Sequence, residues 1–294
     1  MSLLDRVAIV GSRGQLGVDL MAAFADLLPL AFDRPAFDLT DTATMSAAIS
    51  AARPTLVINT AAFHEVERCE AEPAPAFAVN ALGVDALAGL CASVGAVLMH
   101  VSTDYVFDGA SRVPYPESAP LSPLSAYGVS KAAGELLIAR HGSRFFIVRT
   151  CGLYGVAGSR VKGTTFAETM LRKAASGEIL HVVGDQTVAP SYTRDVARAM
   201  RAIAASGRFG IYHVTNAGSC TWHGFAAEIL RRAGVDARLE EIGSAAFASR
   251  ARRPAYSVLA HEGLQAIGYA MPSWQEGLHD YLLARGLLKP SAPA

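Results

Sequence analysis

The chain has 294 residues, 51% of them hydrophobic, with 26 basic and 26 acidic side chains and no formal net charge. That composition supports a sizeable buried core, argues against disorder, and gives no electrostatic case for a nucleic acid or an anionic membrane as partner. The cysteines (Cys69, Cys91, Cys151, Cys220) are scattered without paired spacing, which in a chain this long reads as reduced thiols in the cytoplasm. Met1 to Asp5 lacks the basic start and apolar run of a signal peptide, and no apolar run reaches the roughly 18 residues that span a bilayer.

Taken in order, "VAIV" (7–10) reads as a strand, followed by a glycine-rich turn and the helical "QLGVDLMAAFADLL". "PLAF" (29–32), "TLVIN" (55–59), "AVLMHVS" (96–102) and "FFIVR" (145–149) read as further strands, separated by helical patterns at 41–52, 74–94 and the segment around residue 127. Near-continuous apolar strands alternating with helices predict an α/β fold, a doubly wound parallel sheet of the Rossmann kind covered on both faces. Beyond residue 150 the rhythm loosens, with helices expected near 163–177, 193–206 and 221–234 and short strands near 179–183 and 211–214. The expected organisation is a dinucleotide-binding domain over 1–150 and a smaller C-terminal substrate lobe over 151–288. Some lobe segments return to the main sheet, and 289–294 form a disordered tail.

The first turn carries Gly11, Gly14 and Gly17, with Gln15 and Leu16 opening the helix. Glycine permits a tight turn there, lets the backbone approach a pyrophosphate, and leaves helix N-terminal amides facing the phosphate charge. Asp33, after the second strand, suits the adenosine ribose hydroxyls of NAD, whereas Arg34 beside it suits the 2′-phosphate of NADP. The pair leaves NADPH and NADH both open. Ala61, Ala62 and Phe63, just past the third strand, form a small-residue turn with room for the dinucleotide.

The fourth strand ends in "HVSTDYVFDG", at the sheet edge where ligands bind in such folds. Thr103 there suits a hydrogen bond to a substrate carbonyl, or a structural cap. Tyr127 and Lys131, four apart in "SAYGVSKAAGE", stack on one face of a helix. They read either as a surface pair or as a proton donor whose pKa the neighbouring ammonium lowers. His64, Glu65, Glu67 and Glu70 crowd one segment but fit no metal-ligand spacing and read as a loop rim. His213, His223 and Trp222 read as strand-end, helix-start and packing residues, and Cys151 has no adjacent base to make it a nucleophile.

The G-x-x-G-x-x-G spacing, with Thr103 and Tyr127-x-x-x-Lys131, resembles the extended branch of the short-chain dehydrogenase/reductase superfamily. That resemblance makes Tyr127 the general acid, Thr103 its polar partner, and Lys131 the holder of the nicotinamide ribose that lowers the phenol's pKa from about 10. It places Asp38 and Leu39 beside the adenine. Nucleotide-sugar 4,6-dehydratases of similar fold carry Thr-Asp-Glu where this chain has Thr103-Asp104-Tyr105, so simple reduction is favoured over elimination. "NTAAFHEVERCEAEPAPAFAVNA", "STDYVFDG", "YGVSKAAGE", "RTCGLYG", "VVGDQTVAPSYTRDVA" and "RRPAYSVL" together resemble the dTDP-4-dehydrorhamnose reductase family across nearly the whole chain.

That resemblance implies NAD(P)H-dependent reduction of the 4-keto group of a dTDP-linked 6-deoxy sugar, giving dTDP-L-rhamnose. Thr103, Asp104 and Tyr105 would contact the sugar, and the "GDQTVAPS" loop would close that side. The family's Trp is replaced by Gly152, which leaves the particular sugar open. The resemblance allows a homodimer. Asp19 matches one position of a Mg²⁺ site that some members hold, but no further ligands are traceable and no metal is expected. The alternatives are another nucleotide-sugar 4-ketoreductase or epimerase, or a non-catalytic regulator such as the similar β subunit of methionine adenosyltransferase.

Overall fold

The computed structural model describes residues 2–158, 163–246 and 249–289. Its first half runs β1 (Val7–Val10), α1 (Gln15–Ala23), β2 (Leu30–Phe32), α2 (Thr42–Ala52), β3 (Leu56–Asn59), α3 (Val66–Ala71), α4 (Pro73–Phe77), α5 (Gly83–Val94), β4 (Val97–Thr103), α6 (Ala126–Ala139) and β5 (Phe145–Thr150). The second half runs β6 (Leu153–Tyr154), α7 (Phe166–Ala175), β7 (Leu180–Val183), β8 (Thr187–Val188), β9 (Ser191–Tyr192), α8 (Thr193–Ser206), β10 (Gly210–His213), β11 (Cys220–Thr221), α9 (Trp222–Ala233), β12 (Leu239–Ile242), α10 (Glu262–Ala266) and α11 (Trp274–Ala284).

The main sheet is parallel throughout, in the order β10-β5-β4-β3-β1-β2. From β1 the chain moves outward to β2, then crosses back to β3 on the other side, so the topology reverses between β1 and β3. In such sheets the crevice beyond the strands' C-terminal ends at that point binds ligands. Strand residues alternate between two buried layers. Ile9, Ile58, Met99 and Val148 pack with Leu20, Phe24, Met200 and Ile203 of α1 and α8 or their flanks. Val10, Val57, Leu98 and Ile147 pack with Met45, Ile49, Val84 and Leu87 of α2 and α5 on the other face. Each such side chain contributes about 1.5–3 kcal/mol of burial. A third core of Tyr154, Tyr192, Phe225, Trp274 and Tyr281 fills the C-terminal part.

The strands read from the sequence form within a residue or two of their expected bounds, and β10 of the second half joins the main sheet beside β5. The helix expected from residue 163 begins at Phe166, because Thr165 and Glu168 close a reciprocal capping box there and Gly163 takes a left-handed φ of +67°. β12, α10 and α11 were not read from the sequence. "LEEI" carries too many charges to look like a strand, whereas Ser273 and Glu276 form a capping box that does mark α11. The tail beyond residue 289 lies outside the described residues.

One expectation fails. The continuous helix Pro73–Val94, which includes a π-turn at Ala78–Leu82, has 22 residues and is long and apolar enough to cross a membrane by length and composition alone. Its apolarity serves packing: Ala76, Val84, Leu87, Ala88 and Cys91 are buried, with α2 on one side and α6 on the other.

Candidate active site

The turn after β1 is built so that backbone closes on backbone. Gly11, at φ +79°, accepts no side chain, since a β-carbon would lie 2.7 Å from Thr60 Oγ1. A β-carbon on Gly17 would overlap the Gly11 carbonyl oxygen, so α1 can approach the turn only as glycine. Gly14 caps α1 without any side-chain hydrogen bond, which leaves the helix's first N–H groups free of protein side-chain partners. A backbone cradle with open helix amides fits a dinucleotide pyrophosphate.

Asp33 sits at the tip of β2. It accepts hydrogen bonds from the Ser12 hydroxyl and from the Arg13 N–H (3.4 Å), while the Arg13 guanidinium lies 3.4 Å from its carboxylate and donates to the Arg34 carbonyl at 2.7 Å. Asp38 serves a local turn, accepting from the Thr40 N–H and hydroxyl at 2.9 and 2.8 Å. Leu39 is buried, and its carbonyl presses so closely on Gly83 that a β-carbon there would overlap it. Ala61 lies against Gly11, its N–H donating to Asn59 Oδ1 at 3.0 Å. Phe63 is fixed by Asn80 of the π-turn: its N–H donates to Asn80 Oδ1 (2.8 Å), and its carbonyl accepts from Asn80 Nδ2 (2.9 Å).

Thr103 ends β4, and Tyr127 opens α6 directly beside it. Two features aim the helix. Ser125 caps it by accepting the Gly128 N–H at 3.2 Å, and Glu70 of α3 accepts the Ala126 N–H at 2.6 Å. The Thr103 side chain lies near enough to the Tyr127 phenol to oppose the rise in its pKa, and the Tyr105 ring packs edge-on against Tyr127 at 5.6 Å between centroids. Asp104, only 4% exposed, accepts from the Thr103 hydroxyl at 3.0 Å, with Ser257 and Cys151 close by. Burial raises its pKa, and those neighbours oppose the rise.

The electrostatics correct one expectation. Burial holds the Tyr127 phenol above its ordinary pKa, with the nearby Thr103 side chain opposing the rise and Asp104 and Tyr105 adding to it. Lys131 does not lower it here. Its Nζ donates to the Val101 carbonyl at 2.7 Å and lies 2.9 Å from His100 Nε2, on β4. Burial lowers the Lys131 pKa to about 8, while Glu135 one turn along opposes that. Cys151 stays a thiol, its pKa raised by burial and by Asp104.

Several structural partners were invisible in the sequence. Glu135 and Arg149, at 3% and 2% exposure, form a buried pair with Nη2 2.7 Å from Oε2, and the Ser102 hydroxyl donates to the same carboxylate. His100 was signalled only as a polar residue inside an apolar strand. Of the crowded segment, Glu67 accepts from Ser249, the Arg250 N–H and Arg253. The Asp19 carboxylate accepts from Thr193, and no cluster of three or more metal-ligating side chains occurs among the described residues.

Gly152 takes a left-handed φ of +55°; a β-carbon on it would stand 3.3 Å from Pro190 and 3.5 Å from the Trp222 ring. The loop after β7 ties Gln186 to Ser244 at 2.8 Å and, with Ser249, Arg252 and Arg253, walls a cavity of about 270 Å³. Arg253 lies near enough to Tyr105 to oppose the rise that burial gives that phenol's pKa. A second cavity of about 300 Å³, bordered by Cys91, Gly95, His141 and Arg144, opens beside the start of β5, at the opposite end of the sheet from Thr103.

A doubly wound sheet with a glycine cradle at its switch point and Thr, Tyr and Lys at the next strand and helix defines a reductase of the short-chain dehydrogenase/reductase class. Residues 5–285 match the family described as RmlD substrate binding domain, and the dTDP-4-dehydrorhamnose reductase of Burkholderia thailandensis is 37% identical over 92% of this chain and 95% of its own. This chain belongs to the dTDP-4-dehydrorhamnose reductase family. The dTDP-4-keto-6-deoxy-D-glucose reductase of Streptomyces niveus is also 37% identical, over 90% of this chain and 92% of its own. The crystal structure of dTDP-4-dehydrorhamnose reductase from Bacillus anthracis in complex with NADP superposes with a TM-score of 0.91 at 34% identity, covering 97% of this chain and all of that one.

Proposed function

We propose that this chain reduces the 4-keto group of a dTDP-linked 6-deoxy sugar, dTDP-4-dehydro-L-rhamnose, to dTDP-L-rhamnose, with Tyr127 as the proton donor. The observation that carries the reading is the juxtaposition of Thr103, at the end of β4, and Tyr127, in the first turn of α6, beside the crevice framed by Gly11, Gly17 and Ala61. NADPH or NADH, held on the α1 amides and the Ala61–Phe63 turn, supplies the hydride. The guanidinium of Arg13 beside Asp33, with Arg34 next in the chain, supports NADPH, as does the NADP bound by the Bacillus anthracis relative.

The chain's own work is to hold the carbonyl, stabilise its oxygen and protonate it. The single Thr103 hydroxyl proton turns from Asp104 to that oxygen as negative charge develops, and Tyr127 gives it a proton. A phenol whose pKa is raised by burial stays protonated across neutral pH, so the donor is ready in each turnover. Lys131, moved to the ribose beside Tyr127, would lower that pKa at the moment of transfer. Asp104 orients Thr103, and Tyr105 walls the sugar. The cavity by Gln186, Arg252 and Arg253 suits the nucleotide's negatively charged diphosphate. Pro190 and the Trp222 ring, rather than a side chain at Gly152, border this point, so a related 4-keto sugar is a second candidate. The cytoplasm is the proposed compartment.

The test is NADPH oxidation followed with dTDP-4-dehydro-L-rhamnose. Wild type turns over, and Tyr127→Phe loses on the order of 10²-fold or more in kcat. If wild type binds NADPH yet oxidises none with this or related 4-keto sugars, the enzyme reading is wrong.

A further inference from the structure

Lys131 does not hang free in the crevice; it rests on β4, and the bonding pattern beneath it specifies its charge. Asn59, at the end of β3, accepts the Ala61 N–H on its Oδ1 at 3.0 Å. That fixes which end of the amide meets the neighbouring strand: Asn59 Nδ2 lies 3.1 Å from His100 Nδ1. An amide nitrogen can only donate, so His100 Nδ1 is the acceptor and the ring's single proton is on Nε2. Nε2–H then points at Lys131 Nζ, 2.9 Å away. An ammonium offers no lone pair to that N–H; an amine does, while still donating to the Val101 carbonyl at 2.7 Å. Asn59, His100 and Lys131 are all buried, so water does not relieve a mismatch between two donors.

We propose that Asn59 and His100 form a berth that favours the uncharged amine of Lys131 over its ammonium in the free enzyme, and that coenzyme binding draws Lys131 off it as the ammonium. His100 is therefore a positioning residue acting through Lys131. The proton gained on Nζ comes from solvent buffer, and no bond other than N–H is made or broken. The inference rests on the proposed function, in which Lys131 holds the nicotinamide ribose. The charged and titratable groups facing Lys131 are His100 from β4, and Glu135 and Tyr127 from its own helix; β3 presents the neutral amide of Asn59. Burial and Lys131 itself push the His100 pKa well below its ordinary value, which keeps the ring neutral. Lys131, lowered to about 8 by burial, is an amine above that pH and an ammonium below it.

Binding that converts amine to ammonium takes up a proton, so affinity falls as pH rises above about 8, by up to tenfold per pH unit. Calorimetric titration of the full chain with NADPH, in buffers of different ionisation enthalpy, counts the protons; NADH serves as a second probe lacking the titratable 2′-phosphate. Wild type should take up close to one proton per NADPH at pH 9 and close to none on Lys131 at pH 6.5. His100→Gln offers a carbonyl that accepts from an ammonium, and uptake at pH 9 should fall below half. Asn59→Asp leaves His100 in place but accepts its Nδ1–H, turning Nε2 into an acceptor, and uptake should fall likewise. A merely structural role for His100 would not move this count. Negligible uptake by wild type at pH 9, or unchanged uptake in both variants, overturns the berth. If NADPH binds and the keto sugar is reduced without that uptake, the proposed function stands and this inference falls; failure to bind either coenzyme overturns both.

Discussion

Gly128 lies so close to the carbonyl oxygen of Tyr105 that a β-carbon at 128 would overlap it, and a further neighbour, Pro123, would stand at 3.0 Å. This contact seats the first turn of α6 on the segment following β4 and so sets Tyr127 beside Thr103. The opening glycine of "GVSK" is thus a spacing device rather than a flexible one, since its φ is not left-handed.

Gly128→Ala should push α6 away and misplace the phenol. The expected result is a loss of kcat on the order of 10²-fold, the scale of an ångström-sized error in a reacting group. NADPH affinity, which in the proposed reading rests mainly on the α1 turn, should change much less. Steady-state kinetics with a separate coenzyme titration resolve the two.

Gly17→Ala tests the cradle. Its β-carbon would overlap the Gly11 carbonyl oxygen, and backbone cannot swing aside as a side chain can. The turn must open, and NADPH binding should weaken by about tenfold or more, equivalent to about 1.4 kcal/mol. Fluorescence titration of the coenzyme reads this directly.

The buried Glu135–Arg149 pair should behave as a unit. Arg149→Met strands the Glu135 carboxylate with only the Ser102 hydroxyl still donating to it, and should cost about 3–5 kcal/mol of stability. Glu135→Gln combined with Arg149→Met should cost less than the sum of the single changes. Urea denaturation of all four proteins gives the cycle.

Lys131 predicts a pH dependence of stability with a definite sign. Its pKa is about 8 when folded, against 10.5 for the free side chain. Between those values the unfolded chain binds the extra proton, so raising pH through the window stabilises the fold. The gain approaches about 3 kcal/mol at the top of the window, from about 1.36 kcal/mol per pKa unit. Lys131→Met should lose this rise, and urea midpoints measured between pH 7.5 and 10.5 would flatten relative to wild type.

Gly152→Ala places a β-carbon in a left-handed residue and against Pro190. Backbone strain alone should cost about 1–2 kcal/mol. If Gly152 shapes the sugar subsite, KM for the keto sugar should shift more than NADPH affinity does, as a panel of dTDP-4-keto sugars would show.

The sequence alone determined the periodic elements and the chemistry-bearing motifs. Apolar runs bounded by glycine and helix caps specify local structure, so β1 to β5 and their helices were legible, as was the reductase resemblance carried by Gly11, Gly14, Gly17, Thr103, Tyr127 and Lys131. Tertiary structure decided what those groups meet. Glu135 and Arg149 are 14 residues apart and look like surface charges until β5 and α6 bury them together; Asn59 and His100 meet across two strands. The phenol's pKa went the opposite way from the sequence expectation because helical spacing puts Tyr127 and Lys131 on one face but cannot say where a long flexible ammonium points. Burial, and the seat that His100 and the Val101 carbonyl make for Lys131 on β4, settled that, since both arise only when segments distant in the chain pack together.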